Sequence, residues 1–259
     1  YYKTMNNYKT VKNLLSKGST NSKTAKNEIK TFILYLAPHN LNNKGLTLCK
    51  DASKGCIASC LYSAGRGKFS NVQNSRINKA NYFVSDKKVF LTQLLKEIKK
   101  EIKKASDKNE KIAFRLNGTS DIDFLYLLNK HLDFDIDLLT YDKVYFYDYT
   151  KSIARAKRYK DSRNYTLTFS KSESNDKQVN EALNLGINVA AVFSDDLPHT
   201  YKGFKVVNGD SSDLVMLEYK NVILGLKAKG DAKKDTTGFV INSDSSILES
   251  AINQFGTNS

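Results

Sequence analysis

All three cysteines of this 259-residue chain lie within one short stretch, CKDASKGCIASCLYSAGRG, at residues 49–67. Cys49, Cys56 and Cys60 follow the spacing C-x6-C-x3-C, and the last two lie four residues apart, so on a helix they would share one face. An odd number of thiols cannot be paired off completely in disulfides within one chain. In a reducing compartment, clustered cysteines are typical of metal ligands or redox groups. The clustering therefore predicts that the three cysteines are metal ligands or redox groups.

Four alternatives account for the three cysteines. Structural zinc needs four ligands, so it would require His39, or one of the distant His131 and His199, beside the thiolates. A single catalytic thiol would need a nearby base and leaves the other two cysteines unexplained. Three unrelated buried cysteines would not be expected to cluster. The pattern favours the fourth alternative, a [4Fe–4S] cluster that is held by three thiolates and leaves one iron open to a substrate or cofactor.

This arrangement resembles that of radical S-adenosylmethionine (SAM) enzymes, in which the open iron binds the methionine part of SAM. The resemblance is architectural: the cysteine loop follows the first predicted strand, and the second predicted strand ends in the polar motif LNGTSD. The chain departs from the usual C-x3-C-x2-C spacing and has no Gly-Gly-Glu motif. The resemblance implies a [4Fe–4S] cofactor together with SAM, and zinc remains the alternative metal.

Polar clusters follow most of the predicted strands, as in LNGTSDID, YDYTKS, FSKSESN, NGDSSD and LKAKGD. In (β/α) barrels the site is built from loops at the carboxyl ends of the strands, so these clusters predict a ligand site. Helix caps and turns are the alternative role for each single residue. The residues assigned to cofactor or substrate binding are Arg66, Asn117, Ser120, Asp121, Tyr147, Asp148, Ser170, Ser172, Glu173, Asp210, Lys227 and Lys229.

These binding residues have different expected roles, and no residue is assigned a catalytic one. Arg66 would flank the cluster and offset its negative charge. The polar residues of 117–121 would bind the polar end of a cofactor or substrate. Lys227 and Lys229 would meet a carboxylate or a phosphate, and the remaining residues would line the pocket.

The elements that must position these residues alternate between strand and helix. Strands are predicted at 31–38, 111–118, 143–150, 165–171, 187–193, 204–210, 222–229 and 238–243. Helices are predicted at 8–18, 121–132, 152–159 and 175–186, with two more over 70–106 that break near VSDKK. The pattern predicts an α/β, (β/α) barrel-like fold, open or closed, with about six to eight mostly parallel strands. A doubly wound sheet is the alternative.

The predicted organisation is one barrel-like domain over 31–245 that contains the cysteine cluster at 49–60. A basic arm, 1–30, precedes the domain, and a tail, 246–259, follows it. No stretch approaches the roughly 18–20 apolar residues that cross a bilayer, and the polar, lysine-rich start does not resemble a signal peptide. The expectation is a cytoplasmic protein with no membrane partner.

The chain is strongly basic, with 41 Lys and Arg against 27 Asp and Glu and a formal charge of +14. Such a charge favours a nucleic acid or a phosphate-bearing substrate as partner. The alternative is a solvated helix face, because Glu97 and Glu101 in LLKEIKKEIKKASDK lie at helical spacing to lysines. A non-enzymatic nucleic-acid-binding protein with a structural metal is therefore the alternative function.

The chain as a whole resembles the phage- and plasmid-encoded gene product 88 (Gp88) family from about residue 14 to 242. The stretches that carry the resemblance are NSKTAKNE, YLAPHNL, GCIASCLYSAGRGKFSNVQNSRINK, RLNGTSDI, FYDYTK, LTFSKSESN, AAVFSDDLP, NGDSSDL and GLKAKGDAKKDTTGFV. The resemblance implies a phage or mobile-element origin in a bacterial cytoplasm and supplies no catalytic residues. The combined expectation is a phage or mobile-element iron–sulfur protein, an enzyme of radical SAM-like type.

Overall fold

The computed structural model describes residues 8–18, 29–212 and 214–242; the predicted tail lies outside them. The strands are β1 (Leu15–Lys17), β2 (Lys30–Leu34), β3 (Ile112–Arg115), β4 (Val144–Thr150), β5 (Tyr165–Ser170), β6 (Val189–Phe193), β7 (Thr200–Tyr201), β8 (Phe204–Asn208), β9 (Ile223–Lys227) and β10 (Val240–Ile241). The α-helices are α1 (Lys54–Ala58), α2 (Ser70–Ser85), α3 (Lys87–Asp107), α4 (Phe124–Leu132), α5 (Ile153–Arg158), α6 (Asp176–Asn184) and α7 (Val215–Glu218). Short 3-10 helices lie at Leu61–Ser63, Gly65–Lys68, Ile136–Leu138 and Gly230–Lys234.

The fold is mixed α/β with a mostly parallel sheet of ten strands. This confirms the predicted class and the predicted strand direction. The sheet is not closed into a barrel: β9 lies between β6 and β8, so the strand order departs from the chain order. Barrel strands follow one another in sequence, whereas a change of order is typical of open α/β sheets. None of the described helices is both long and apolar enough to cross a bilayer.

The chain divides into two compact units. The first comprises Tyr1–Lys50, Arg66–Asp148 and Ser162–Tyr165, and the second comprises Asp51–Gly65, Tyr149–Asp161 and Thr166–Ser259. The cysteine stretch is divided as well, since Cys49 belongs to the first unit and Cys56 and Cys60 to the second. The single domain over 31–245 stays a prediction.

In the first unit, β2, β3 and β4 are parallel neighbours, and β1 pairs antiparallel with β2. The register aligns Phe32 with Phe114 and Phe114 with Phe146, and the three rings stack at centroid distances of 5.8 and 5.1 Å. This aromatic ladder is buried and forms part of the unit's apolar core.

The helical region predicted over 70–106 is confirmed as α2 and α3, which break at Asp86 inside the predicted VSDKK segment. One face of α3 is buried through Phe90, Leu91, Leu94, Leu95 and Ile98, the spacing of an amphipathic helix. The opposite face of α3 carries lysines.

The helix predicted over 8–18 is wrong, because Leu15–Lys17 is a strand and the residues before it are not helical. Side chains of α2 and α3 hold this segment by its backbone. The Glu97 carboxylate accepts hydrogen bonds from the N–H groups of Leu14 and Leu15 at 2.9 Å, and Lys79 Nζ donates to the Leu14 carbonyl at 2.7 Å. Backbone groups satisfied in this way need no helical partners.

In the second unit, β5, β6, β9 and β8 lie side by side in parallel, β10 pairs in parallel with β6, and β7 is antiparallel to β8. The core packs α6 side chains such as Val179 and Leu183 against strand residues such as Phe169, Val189 and Phe193. Helix α6 ends before Gly186, whose φ of 75° confirms the predicted glycine stop.

Candidate functional site

The carboxyl ends of β2, β3 and β4 lie at one edge of the first unit's sheet, because these strands are parallel. The loop after β3 carries Asn117, Ser120 and Asp121, and β4 carries Asp148. Asp148 accepts hydrogen bonds from the backbone N–H and from the side-chain Nδ2 of Asn117, at 3.0 and 2.9 Å. The structure therefore brings these predicted residues together at one strand edge.

Asn117 is 2% exposed and its amide is fully engaged inside this loop. Its Oδ1 accepts from Ser120 Oγ at 2.9 Å and from the Ile122 N–H at 2.8 Å, and its Nδ2 donates to the Ile122 carbonyl as well as to Asp148. Because all of its donors and acceptors are used, the Asn117 side chain determines the shape of the loop.

Asp148 is a buried carboxylate, 2% exposed, with Arg115 Nε at 4.0 Å from its Oδ1. The guanidinium charge offsets part of the cost of burying the carboxylate. The neighbouring Tyr147 is fully buried, and successive residues of a strand point to opposite faces, so Tyr147 does not share the face of Asp148.

Cys49 lies against the same loop. It forms a parallel bridge with Asp121, and the Asp121 N–H donates to the Leu48 carbonyl at 2.9 Å. The Cys49 thiol accepts the His39 backbone N–H at 3.4 Å and lies 4.0 Å from the Thr119 carbonyl. His39 thus approaches the sulfur through its backbone, while its imidazole Nδ1 accepts the Asn40 N–H.

In the second unit, the cysteine stretch forms the short helix α1. The Ser53 side chain caps the helix by accepting the Cys56 N–H at 3.2 Å. The helix ends at Ala58, and Cys60 is extended with φ −63° and ψ 132°, so Cys56 and Cys60 do not share a helical face. The Cys60 N–H reaches back only three residues, to Ile57, which tightens the last turn.

Glu173, in the loop after β5, anchors the start of α1. Its carboxylate accepts the Ser53 hydroxyl at 2.7 Å and the Gly55 N–H at 2.8 Å. Burial raises the pKa of this carboxyl, but hydrogen bonds, chiefly those from Ser53 and Gly55, together lower it, so the pKa lies below its ordinary value. Glu173 is therefore bound to the helix start as a carboxylate.

Two further contacts hold the cysteine stretch in the second unit. A Cβ on Gly55 would lie 2.2 Å from Thr237 Oγ1 and 2.7 Å from Phe239 Cβ, so only glycine fits there. Ser63 donates to Asp231 at 2.5 Å, next to the end of β9. Residues 53–63 are thus tied to the loops that follow β5 and β9.

The other predicted residues of the second unit pair among themselves. Asp210 accepts the Lys227 N–H at 2.8 Å and Lys229 Nζ at 2.6 Å, and Lys227 Nζ lies 3.1 Å from Asp196. Both lysines are therefore ion-paired with carboxylates.

The two predicted serines lie just before α6, and the Asn175 side chain holds their backbone. The Ser170 carbonyl accepts Asn175 Nδ2 at 2.9 Å, and the Ser172 N–H donates to Asn175 Oδ1 at 2.7 Å. Arg66 lies in the first unit, exposed, on the 3-10 helix Gly65–Lys68.

None of the three cysteines forms a disulfide, and all three are half-buried. Over the described ranges, no group of three or more His, Cys, Asp or Glu side chains is gathered so as to hold a metal ion. The three predicted ligands therefore form no disulfides, but the structure does not gather them around one metal position.

Sequence reasoning missed several residues that shape the site, among them Ser53, Gly55, Thr119 and Asp231. For Ser53 a signal was present, since a serine directly before KGCIA is typical of a helix N-cap. The other three act through partners about 70 to 180 residues away, which a local pattern does not reveal.

By its fold, the chain is a mixed α/β protein with a mostly parallel sheet. Polar clusters follow the carboxyl ends of its strands. A model of the gene product 88 (GP88) family matches residues 7–243. The chain therefore belongs to the gene product 88 family, which confirms the resemblance seen in the sequence. The resemblance to radical SAM enzymes is not supported. No curated protein and no solved structure matches the chain.

Proposed function

We propose that the protein is an iron–sulfur enzyme of radical SAM-like type, in which Cys49, Cys56 and Cys60 ligate a [4Fe–4S] cluster. These are the only thiols of the chain, and they lie within twelve residues of one another. When bound, such a cluster supplies single electrons to a substrate or cofactor at its open iron. SAM is the proposed cofactor.

One observation carries this proposal: in each unit, the part of the cysteine stretch that belongs to it is bound to a loop that follows a parallel strand. In the first unit Cys49 is bridged to Asp121 after β3. In the second unit Ser53 and Gly55 are bound by Glu173 after β5. Ligands in open α/β sheets bind outside the carboxyl ends of the strands. Thiols held beside such strand ends suit chemistry on a bound substrate.

The donor chemistry of the three cysteines fits this group. Thiolates are the usual ligands of iron–sulfur clusters, and the three thiols are part-exposed and not oxidised to a disulfide. Because the described side chains are not gathered into a ligand group, the proposal requires that the thiols converge when the metal binds. Metal binding and local folding would then be coupled.

The chain's own residues hold this region in place. Asp148 and Asn117 determine the shape of the loop that contacts Cys49, and Arg115 offsets the charge of Asp148. Glu173 holds the first turn of α1, the helix that carries Cys56. In the proposed enzyme these are positioning residues, and they do not themselves react.

The test compares single replacements of each cysteine by serine with the replacement Ile57→Ala. Ile57 lies on α1 between two of the cysteines, is 42% exposed and offers no ligand atom, which makes it a matched control. After anaerobic purification, we expect each cysteine variant to lose its bound iron and sulfide, whereas Ile57→Ala retains them. Reduced wild-type protein is expected to cleave SAM, and the cysteine variants are not.

Full metal content in any one cysteine variant would remove that cysteine from the ligand set. If the cysteine variants lose metal but wild-type protein does not cleave SAM, the iron–sulfur part of the proposal stands and the radical SAM part is wrong. Zinc in place of iron, with no colour, would instead support a structural metal.

A further inference from the structure

The outward face of α3 presents a row of lysines, the lysine ridge, made of Lys88, Lys96, Lys99 and Lys100. At about 100° per residue, these four positions fall within an arc of about 120° around the helix axis. All four are exposed, and the opposite face of α3 is buried in the first unit. The ridge is therefore a fixed, solvent-facing line of positive charge.

Glu97 does not neutralise this ridge, although its place in the sequence is suited to doing so. Its carboxylate faces the N-terminal segment, where it accepts the N–H groups of Leu14 and Leu15 and the Gln93 side chain. The carboxylate that could have paired with neighbouring lysines is thus used to hold backbone. The alternative drawn from the sequence, a helix face whose lysines are neutralised by nearby carboxylates, depended on Glu97.

The two remaining carboxylates of α3 pair with lysines outside the ridge. Glu101 binds Lys104 at 2.7 Å, and Asp107 binds Lys103 at 3.1 Å. Across residues 8–18, 29–212 and 214–242, no ion pair involves a lysine of the ridge. Its charge is available to a partner.

We propose that the lysine ridge binds the phosphate backbone of nucleic acid without regard to base sequence. From Lys88 to Lys100 the helix rises about 18 Å, over which a DNA duplex carries about five phosphates on each strand. Lysine ammonium groups bind phosphate as point charges with little demand on geometry, which suits contacts to the backbone.

A membrane surface is the less favoured partner for this face. Helices that lie on membranes present large apolar residues beside their lysines. Helix α3, all of whose residues are described, exposes one large apolar side chain, Val89. Anionic vesicles therefore enter the test as the outcome that would overturn the proposal.

The experiment measures binding of a short fluorescent DNA duplex by anisotropy over a range of salt concentrations. The ridge variant is K96Q/K99Q/K100Q. The matched control, K177Q/K205Q/K220Q, removes the same formal charge from exposed lysines of the second unit. Both variants must show the wild-type melting temperature, and the single variant K99Q provides a second, milder test.

We expect the ridge variant to bind DNA at least about tenfold more weakly than the control does. The slope of log affinity against log salt should fall by about two to three, since each lost phosphate contact removes about 0.9, and by about one in K99Q. Equal effects of the two triple variants would overturn the ridge as the contact surface. Absence of DNA binding by the wild type, or ridge-dependent binding to anionic vesicles alone, would overturn the proposed partner. None of these outcomes depends on the metal content of the protein.

Discussion

Glu173 shows how one carboxylate can fix the segment that carries the proposed metal ligands. Its two hydrogen bonds, to Ser53 and to the Gly55 N–H, hold the first turn of α1. Those bonds also lower the pKa of Glu173 despite its partial burial. A group whose pKa is lowered on folding stabilises the fold above its ordinary pKa, and that stabilisation is lost as the pH falls.

The first prediction concerns Glu173→Gln. At pH 7 we expect a loss of about 1 kcal/mol in the free energy of unfolding, the size of a charge-assisted hydrogen bond at a part-exposed site. The difference from wild type should shrink as the pH falls below about 4.5, the ordinary carboxyl pKa, because the unfolded chain takes up a proton there before the folded carboxylate does. Urea unfolding of both proteins at pH 7 and pH 3.5 measures the difference in the free energy of unfolding. A difference that does not change with pH would contradict this role.

The second prediction concerns Gly55→Ala. The added methyl group would meet Thr237, Phe239 and the Glu173 carboxylate at 2.2 to 2.8 Å, so we expect a destabilisation of about 1–3 kcal/mol from overpacking. Ala58→Gly, at an exposed position of the same helix, is the control and should cost about 1 kcal/mol or less. The order of the two melting temperatures decides, and a Gly55→Ala protein as stable as wild type would be inconsistent with the packing described.

Helices α2 and α3 hold the N-terminal segment through side chains that bind its backbone. Lys79 donates to the Leu14 carbonyl, Glu97 accepts two N–H groups, and Gln93 donates to the Val11 carbonyl at 3.0 Å. Lys79 is 8% exposed, and its burial lowers its pKa to about 8. Folding therefore releases a proton from this lysine at pH values between about 8 and its ordinary 10.5.

The third prediction is that wild-type stability rises with pH across this window. The unfolded chain binds more protons there than the folded chain, so the contribution of Lys79 to the free energy of unfolding increases by about 3 kcal/mol. Comparing Lys79→Met with the exposed Lys96→Met isolates this contribution. The rise should disappear in Lys79→Met and persist in Lys96→Met; its survival in Lys79→Met would contradict the assignment.

Periodicity predicted the regular elements well where the partners of each element are local. The strand at 165–171 and the helix break near Asp86 are two examples. The N-terminal segment was predicted as a helix because its partners Lys79 and Glu97 lie 65 to 83 residues away. The spacing of Cys56 and Cys60 suits one face of a helix, but it does not show that α1 ends at Ala58, before Cys60.

At the scale of the whole molecule, the sequence predicted an α/β class with parallel strands but not the strand order. The position of β9 between β6 and β8 depends on pairings such as Val189 with Ile223 and Val206 with Ile223, which no local pattern encodes. The rule for parallel strands held even though the strand order was not predicted. Residues that follow strands in sequence, such as Asp121 and Glu173, lie at carboxyl ends whatever the strand order.

The sequence predicted which residues lie near the candidate site better than it predicted what each of them does there. Asn117 and Asp148 do come together, but as a buried pair that engages the whole Asn117 side chain. Lys227 and Lys229 are held by carboxylates of their own unit, Asp196 and Asp210. Hydrogen-bond saturation is a property of the folded neighbourhood, so residue type and spacing could not reveal it.

The central claim is that the three cysteines hold an iron–sulfur cluster. The most direct measurement is the iron, zinc and acid-labile sulfide content of the full chain purified without oxygen, together with its visible absorbance before and after reduction. If the cysteines hold such a cluster, the protein should contain about four iron and four sulfide per chain and have a brown colour that bleaches on reduction. Colourless protein with zinc, or with no metal after reconstitution with iron and sulfide, would contradict it.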